Sequence, residues 1–219
     1  MSVSIVILTA TEMEQRPLRD RLGDRYAGRR LVWQVSGVGA GAVAAATLRI
    51  VRDLRPAAVV QVGIGGALPH AKLSLAETVL IGSDFQADLG AWRSETGRFE
   101  PFAQRPEAET IVCPYAARMR NRFRILAARS VNTACIPIPR RGDEEVESME
   151  GAAFFGVCRD ERVPFLQLRS ISNRVGDPRA AWCIPEALQS LADGLARLLE
   201  EPDLFACPDL CKPDDPAAR

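Results

Sequence analysis

Short apolar runs alternate with helical stretches along most of the chain, and this alternation restricts the fold more than any other feature. The predicted strands are Val3–Thr9, Leu31–Ser36, Ala57–Val62, Ala76–Ser83, Arg124–Val131 and Val163–Ser172, and the predicted helices are Glu12–Leu22, an Ala-rich stretch that ends before Pro56, Asp143–Arg159 and Pro185–Glu200. Strands separated by helices indicate an α/β fold with a central mixed, largely parallel sheet flanked by helices. In such sheets ligands bind beyond the carboxyl ends of the strands.

Length and charge limit the class of partner. The 219 residues are 47% hydrophobic, enough for one sizeable core, and we predict a single domain over residues 1–200 with a disordered tail over residues 201–219. The 28 basic and 28 acidic side chains cancel, which disfavours nucleic acid or an anionic membrane as a partner. The apolar runs are too short to span a membrane, and no basic segment precedes the first of them. We therefore expect a cytoplasmic protein that binds a small molecule.

The six cysteines do not predict a metal site. Four of them lie singly in apolar segments, as buried thiols do: Cys113, Cys135, Cys158 and Cys183. Cys207 and Cys211 have a spacing that suits a metal or a disulfide, but the chain has one histidine, His70, and no second ligand pair.

Two glycine-rich turns follow predicted strands. Gly37, Gly39 and Gly41 do not have the spacing of a dinucleotide fingerprint, and a tight turn packed against a helix explains them as well. The second turn, Gly63–Pro69, is predicted to be a loop at the end of a strand. No cofactor is predicted from either.

Polar residues at the strand ends are the candidates for chemistry. Glu14 lies three residues after Thr11, which is also the spacing of a helix capping box. Asn173 ends an apolar strand, where an Asx turn is the simple alternative.

Glu150 has two interpretations of its own. It could lie on an exposed helix face with Glu144, Glu145 and Glu147. The small and apolar residues 151–157 that follow it indicate instead that it begins a buried stretch, where a lone carboxylate needs a partner or a function.

Four segments in order, ILTATEMEQRPL, VQVGIGGAL, VESMEGAAFFGVC and FLQLRSISNRVGD, resemble the nucleosidase branch of the purine nucleoside phosphorylase superfamily, which includes the methylthioadenosine/adenosylhomocysteine nucleosidases. They span Ile7–Asp177. The resemblance implies a three-layer nucleoside phosphorylase-like fold, hydrolysis of a purine N-ribosyl bond without cofactor or metal, and a homo-oligomer.

The resemblance also implies roles for individual residues. Glu14 falls on the water-activating carboxylate, Glu150 on the glutamate that binds the ribose hydroxyls, and Met149 on the methionine that packs against the sugar. The other predicted substrate-binding residues are Ile64 and Gly65 behind the nucleoside, Val131 in the base-binding segment, and Ser172 beside Asn173. Ile64 replaces a serine of the adenosine-type enzymes.

Asn173 stands where the adenine-specific nucleosidases carry an aspartic acid. Its carboxamide cannot supply a proton to the leaving base, but its NH₂ can donate a hydrogen bond to N7 or to a 6-oxo group, which favours hypoxanthine over adenine. In this feature the chain resembles the futalosine hydrolases, as it does in Ser83–Gly90, Ser170–Asp177, Trp182 and Ile184–Leu188. The implied reaction is the cleavage of futalosine to hypoxanthine and dehypoxanthine futalosine in menaquinone biosynthesis.

Three alternatives remain open from the sequence. The chain could be a nucleosidase for aminodeoxyfutalosine or methylthioadenosine-type substrates, an inosine phosphorylase that binds phosphate through Arg29–Arg30 and Gly37–Gly41, or a nucleoside-binding protein without turnover. The benzoate of futalosine could pair with Arg98, Arg105 or an arginine of Arg118–Arg124.

Overall fold

The computed structural model of the protein describes residues 4–102, 109–133, 138–202 and 204–205. Within these ranges the strands are β1 (Ser4–Thr9), β2 (Arg25–Tyr26), β3 (Arg29–Val35), β4 (Ala58–Ala67), β5 (Thr78–Asp84), β6 (Gly90–Arg93), β7 (Arg98–Pro101), β8 (Ile111–Val112), β9 (Ile125–Ser130), β10 (Val146–Ser148) and β11 (Phe165–Arg174), and the helices are α1 (Glu12–Leu22), α2 (Ala40–Leu54), α3 (Gly151–Asp160) and α4 (Ile184–Leu199).

The central sheet is mixed. Its strands follow the order β10-β9-β5-β11-β4-β1-β3-β2, with β8 beside β5, and β10 also pairs with β4. That last pairing closes β4, β11, β5, β9 and β10 into a barrel-like ring. The predicted α/β fold is confirmed. Its largely parallel character is confirmed only in part, because β5 runs antiparallel to β11 and β10 antiparallel to β4.

The prediction that Gly63–Pro69 forms a loop is wrong for Gly63–Ala67, which belong to a strand. Strand β4 continues through Ala67 and pairs in parallel with β11 from Val59 to Ala67. Glycines occur here because neighbouring side chains come close: a Cβ on Gly63 would lie 2.6 Å from Nη1 of Arg169. Close packing, not a turn, explains these glycines.

The predicted helix Asp143–Arg159 is also wrong in its first part. The chain forms β10, which pairs with β9 and β4, and α3 begins at Gly151. Glu144 is buried and accepts hydrogen bonds from the N–H groups of Arg141 and Gly142. Glu147 forms an ion pair with Arg129 at 2.7 Å, and Glu145 lies 3.8 Å from Arg124. The three glutamates therefore do not form a solvated helix face, because strand pairing overrides their helix propensity.

Helices α1 and α4 pack on the same side of the sheet, and α2 packs against α3. Buried Leu204 and half-buried Phe205 continue the packing beyond α4, and the ring of Phe205 meets that of Tyr115 edge-on at 6.0 Å. The division at residue 200 stays a prediction, and residues 203 and 206–219 lie outside the described part of the chain. None of the described helices is long and apolar enough to cross a membrane.

The described cysteines are free thiols. Cys113 and Cys158 are buried, as predicted, and Cys183 is half-buried. Burial raises the pKa of the Cys113 thiol to about 12. Cys135, Cys207 and Cys211 lie outside the described residues.

Candidate active site

Residues at or just beyond the carboxyl ends of β1, β4, β9, β10 and β11 surround a cavity of about 630 Å³. This volume lies within the usual range of small-molecule sites. All eight predicted site residues line the cavity: Glu14, Ile64, Gly65, Val131, Met149, Glu150, Ser172 and Asn173. The strand order therefore gathers residues that are up to 159 positions apart in the sequence, from Glu14 to Asn173.

Glu14 is both a helix cap and a cavity residue. Its Oε2 accepts hydrogen bonds from N–H of Thr11 at 3.1 Å and from Oγ1 of Thr11 at 2.9 Å, and its own N–H donates to Oγ1 of Thr11 at 3.3 Å, so that the two backbone N–H groups form the capping box at the start of α1. Its Oε1 accepts from N–H of Ile64 at 3.1 Å. The two interpretations of Glu14 are thus compatible, because the cap fixes one oxygen and turns the other toward β4. Glu12, its neighbour on α1, is exposed and does not line the cavity.

Glu150 connects α2 and β11 to the cavity. It lies at the N-cap of α3, and its Oε1 accepts a hydrogen bond from N–H of Gly39 at 3.1 Å. Its Oε2 lies 3.4 Å from Nη2 of Arg169, and both side chains are almost completely buried. The carboxylate therefore has a charged partner, as a buried carboxylate requires.

Arg169 is the residue that the sequence interpretation missed. The residue is 1% exposed, and Nη1 donates to the carbonyl of Ile64 at 3.3 Å while Nη2 donates to Oε1 of Gln61 at 3.2 Å. The guanidinium of Arg169 thus binds Glu150 and also contacts Ile64, the residue whose N–H binds Glu14. A lone arginine inside the apolar strand FLQLRSIS was the available signal, since a buried charge needs partners.

A second buried acid lies behind Arg169. The hydrogen-bond network orients the amide of Gln167 so that its oxygen accepts from Nε of Arg169 at 3.0 Å, and the same amide hydrogen-bonds Asp84. Asp84 also accepts from Oγ of Ser130 at 3.0 Å. Burial raises the pKa of Asp84 to about 7, against the lowering effect of Ser130 and Arg169.

Asn173 and Ser172 lie at an irregularity of β11. The register with β4 shifts between Ile171 and Asn173, and such a shift redirects side chains. Oδ1 of Asn173 accepts from Oγ of Ser172 at 2.8 Å, and Nδ2 donates to the carbonyl of Arg174 at 2.9 Å. Since Oδ1 is bound to a side chain rather than to a backbone N–H further along, the alternative of a simple Asx turn is wrong.

The proposed phosphate residues of a phosphorylase have other partners. The guanidinium of Arg29 donates to the carbonyls of Leu199, the last residue of α4, and of Glu201 beyond it. Strand β3 runs parallel to β1, so Arg29 lies at the opposite end of the sheet from the cavity. At the start of α2, N–H of Gly39 binds Glu150, and N–H of Ala40 binds Oδ1 of Asn132 at 3.1 Å.

Among the described residues no group of three or more His, Cys, Asp or Glu side chains is arranged to hold a metal ion.

Comparisons with known proteins also find nucleosidases. No protein-family model matches the chain. The futalosine hydrolase of Thermus thermophilus is 29% identical over 153 residues, which cover 64% of this chain and 68% of that protein. A futalosine hydrolase mutant of Helicobacter pylori superposes with a TM-score of 0.75 at 20% identity, covering 89% of this chain and 97% of the other.

A second solved structure has the same fold. The 5'-methylthioadenosine/S-adenosylhomocysteine nucleosidase of Helicobacter pylori, with butyl-thio-DADMe-Immucillin-A, superposes with a TM-score of 0.74 at 17% identity, covering 89% of this chain and 97% of that one. The resemblance to nucleosidases is thus confirmed at the level of the fold, and the resemblance to futalosine hydrolase in the sequence as well.

Proposed function

We propose that this chain hydrolyses the N-ribosyl bond of futalosine and releases hypoxanthine and dehypoxanthine futalosine. One observation carries the proposal: two buried carboxylates, Glu14 and Glu150, line the same cavity as the carboxamide of Asn173. Cleavage of an N-ribosyl bond develops positive charge on the sugar, so it needs an activated water, a group that holds the ribose hydroxyls, and a group that stabilises the departing base. The similarity to futalosine hydrolase supports the same reaction.

Glu14 is proposed as the base that activates water. The capping box holds Oε2, and N–H of Ile64 holds Oε1, so the carboxylate has a fixed orientation at the cavity wall. It takes a proton from water as the water oxygen bonds to the anomeric carbon. The bond from that carbon to the purine nitrogen breaks, and the purine leaves with the electron pair and takes a proton from solvent.

Glu150 and Met149 are proposed to hold the ribose. The ion pair with Arg169 and the hydrogen bond from Gly39 fix the Glu150 carboxylate, which can accept hydrogen bonds from two neighbouring hydroxyls. A carboxylate that is already oriented does not lose entropy when the sugar binds. Met149 gives an apolar surface beside it.

Asn173 is proposed to stabilise the leaving purine. One N–H of its carboxamide binds the carbonyl of Arg174, which leaves the second N–H for the base. A 6-oxopurine accepts such a hydrogen bond at N7 or O6. Ile64, Gly65, Val131 and Ser172 complete the proposed binding surface.

The positions of Arg29 and Gly39 favour water over phosphate as the nucleophile. Arg29 binds carbonyls at the far end of the sheet, and the N–H of Gly39 binds Glu150. Neither is left to bind an incoming phosphate anion.

The arrangement of the layers, the location in the cell and the oligomeric state are also proposals. We propose a three-layer, largely parallel nucleoside phosphorylase-like arrangement of one domain, acting in the cytoplasm as a homo-oligomer. Large apolar side chains that are exposed in the single chain, among them Trp92 and Val112, support an association between copies.

Base release from four nucleosides tests the function. The protein is incubated with futalosine, aminodeoxyfutalosine, inosine and methylthioadenosine, each with and without phosphate. We expect hypoxanthine from futalosine at a rate that phosphate does not change. Base release from inosine that requires phosphate would contradict hydrolysis, and a preference for aminodeoxyfutalosine would contradict the role given to Asn173.

A further inference from the structure

The turn between β11 and α4 carries a cation stacked on an indole ring at the wall of the cavity. Arg179 opens a single 3-10 turn, and its guanidinium carbon lies 4.3 Å from the centroid of the Trp182 ring. Nε1 of Trp182 donates to the carbonyl of Asp177 at 3.2 Å, which holds the ring in place. Both side chains line the cavity that contains Asn173. We propose that Arg179 and Trp182 form the subsite for the aryl carboxylate of the substrate.

This inference rests on the proposed function, because futalosine carries an aryl carboxylate at the end of the arm attached to its ribose. A guanidinium that lies over an indole face can still offer its planar N–H groups to a carboxylate, which it binds with two hydrogen bonds. Within the described chain Arg179 makes no ion pair with a protein carboxylate. Its charge is therefore available to a ligand.

The other charges of the cavity wall strengthen the assignment. Among its described lining residues Arg179 is the one cation, whereas four carboxylates line the same wall: Glu14, Glu147, Glu150 and Asp177. The arginines that pair with Glu147 and Glu150 are buried behind the wall. A ligand carboxylate placed elsewhere in the cavity meets like charge, so both attraction and repulsion direct it to Arg179.

Exposed apolar side chains in the same cavity also suit the aromatic ring of the substrate. Met13 and Val38 line the same cavity and are 45% and 54% exposed. An aryl group that covers these side chains and part of Trp182 gains apolar contact and aromatic packing.

The arginines proposed from the sequence do not line the cavity in the described part of the chain. Arg98 lies on the exposed hairpin of β6 and β7. Arg124 precedes β9, whose opposite end reaches the cavity at Val131 about 20 Å away along the strand, and it pairs with Glu77. Arg105 is outside the described residues.

The subsite is tested by a cycle of two changes, one in the protein and one in the ligand. Binding of futalosine and of its methyl ester is measured by titration calorimetry in a Glu14→Gln background, where turnover is expected to be strongly slowed, with and without Arg179→Gln. Arg16→Gln, at an exposed arginine of α1 outside this cavity, is the matched control. We expect esterification to weaken binding about tenfold when Arg179 is present and to have little effect in Arg179→Gln.

Equal discrimination between acid and ester in both proteins overturns the subsite, as does an absence of measurable futalosine binding. Inosine has no carboxylate, so its dissociation constant should not change with Arg179→Gln; a parallel weakening of inosine would mean that the substitution damages the cavity in general, and would also overturn the assignment. The proposed function fails by a different measurement: the unsubstituted protein would release no hypoxanthine from futalosine. The binding measurements do not require turnover, so the two failures can be distinguished.

Discussion

Oε2 of Glu150 and Nη2 of Arg169 lie 3.4 Å apart, and both side chains are almost completely buried. Two buried opposite charges attract each other strongly, but each has lost its hydration, so the pair is retained only with further hydrogen bonds. Gln61, Gln167 and the carbonyl of Ile64 supply them for the arginine, and Gly39 for the glutamate. The pair therefore connects the proposed ribose-binding group to the strand that orients Glu14.

Removal of the Arg169 side chain should lower the stability of the protein. We expect Arg169→Met to lower the free energy of unfolding by about 3–5 kcal/mol, because it leaves Glu150 buried and unpaired. Urea unfolding measures the loss, and Arg16→Met, which removes an exposed arginine, should cost far less. Equal costs for the two variants would contradict the structure.

Removal of the proposed base should stop the chemistry without stopping binding. We expect Glu14→Gln to lower kcat by about 10²–10⁴-fold, since a carboxamide cannot take a proton from water, while futalosine still binds. Glu12→Gln, on the exposed face of the same helix turn, is the control and should retain kcat. Single-turnover release of hypoxanthine measures the effect. Unaltered turnover in Glu14→Gln would mean that the residue is only a helix cap.

The close approach at Gly63 gives a prediction that needs no change of charge. A Cβ there would lie 2.6 Å from Nη1 of Arg169 and 2.8 Å from Oε1 of Glu14, so Gly63→Ala must displace at least one of them. We expect a loss of about 1–3 kcal/mol in the free energy of unfolding and a large fall in kcat. In Gly41→Ala the added Cβ meets nothing within 4 Å, and this variant should keep its activity and its stability. Full activity of Gly63→Ala would refute the described geometry.

The carboxamide of Asn173 should determine the choice of base. In Asn173→Asp one carboxyl oxygen would face the carbonyl of Arg174, which favours the protonated acid, and when the purine binds the single O–H of that acid can be donated to N7 in place of the carbonyl. We expect kcat/KM for aminodeoxyfutalosine relative to futalosine to rise about tenfold or more. Asn121→Asp, at an exposed site, should leave the ratio unchanged. If Asn173→Asp leaves the ratio unchanged, Asn173 does not select the base.

Asp84 should make the stability depend on pH. Burial raises its pKa to about 7 in the folded chain, whereas an unfolded Asp titrates near 4. Between about pH 4 and pH 7 the folded state holds more protons, so the free energy of unfolding falls as the pH rises through this range and levels off above it.

Substitution of Asp84 by Asn removes that titration. The stability of Asp84→Asn relative to the unsubstituted protein should therefore rise between pH 5 and pH 8, by an amount on the order of a few kcal/mol. Urea unfolding at several pH values measures the difference, with Asp20→Asn as the exposed control. A difference that does not vary with pH would mean that Asp84 has an ordinary pKa in the folded chain.

Local sequence determined the features whose causes are local. Helix α1 has the predicted bounds Glu12–Leu22, because a capping box and a helical period are both contained in a few consecutive residues. The resemblance also identified eight residues that all line one cavity. Their individual roles remain predictions.

Only the tertiary structure decided the features that depend on distant partners. The segment before Glu150 forms β10 rather than a helix because β9 and β4 are there to pair with it. Arg169 lies between Gln61, Gln167 and Glu150, and a single sequence gives no sign of which groups surround a buried charge. The contact between Arg179 and Trp182 could not be predicted for the same reason. Strand order and side-chain packing fix these contacts, and both depend on interactions between residues far apart in the chain.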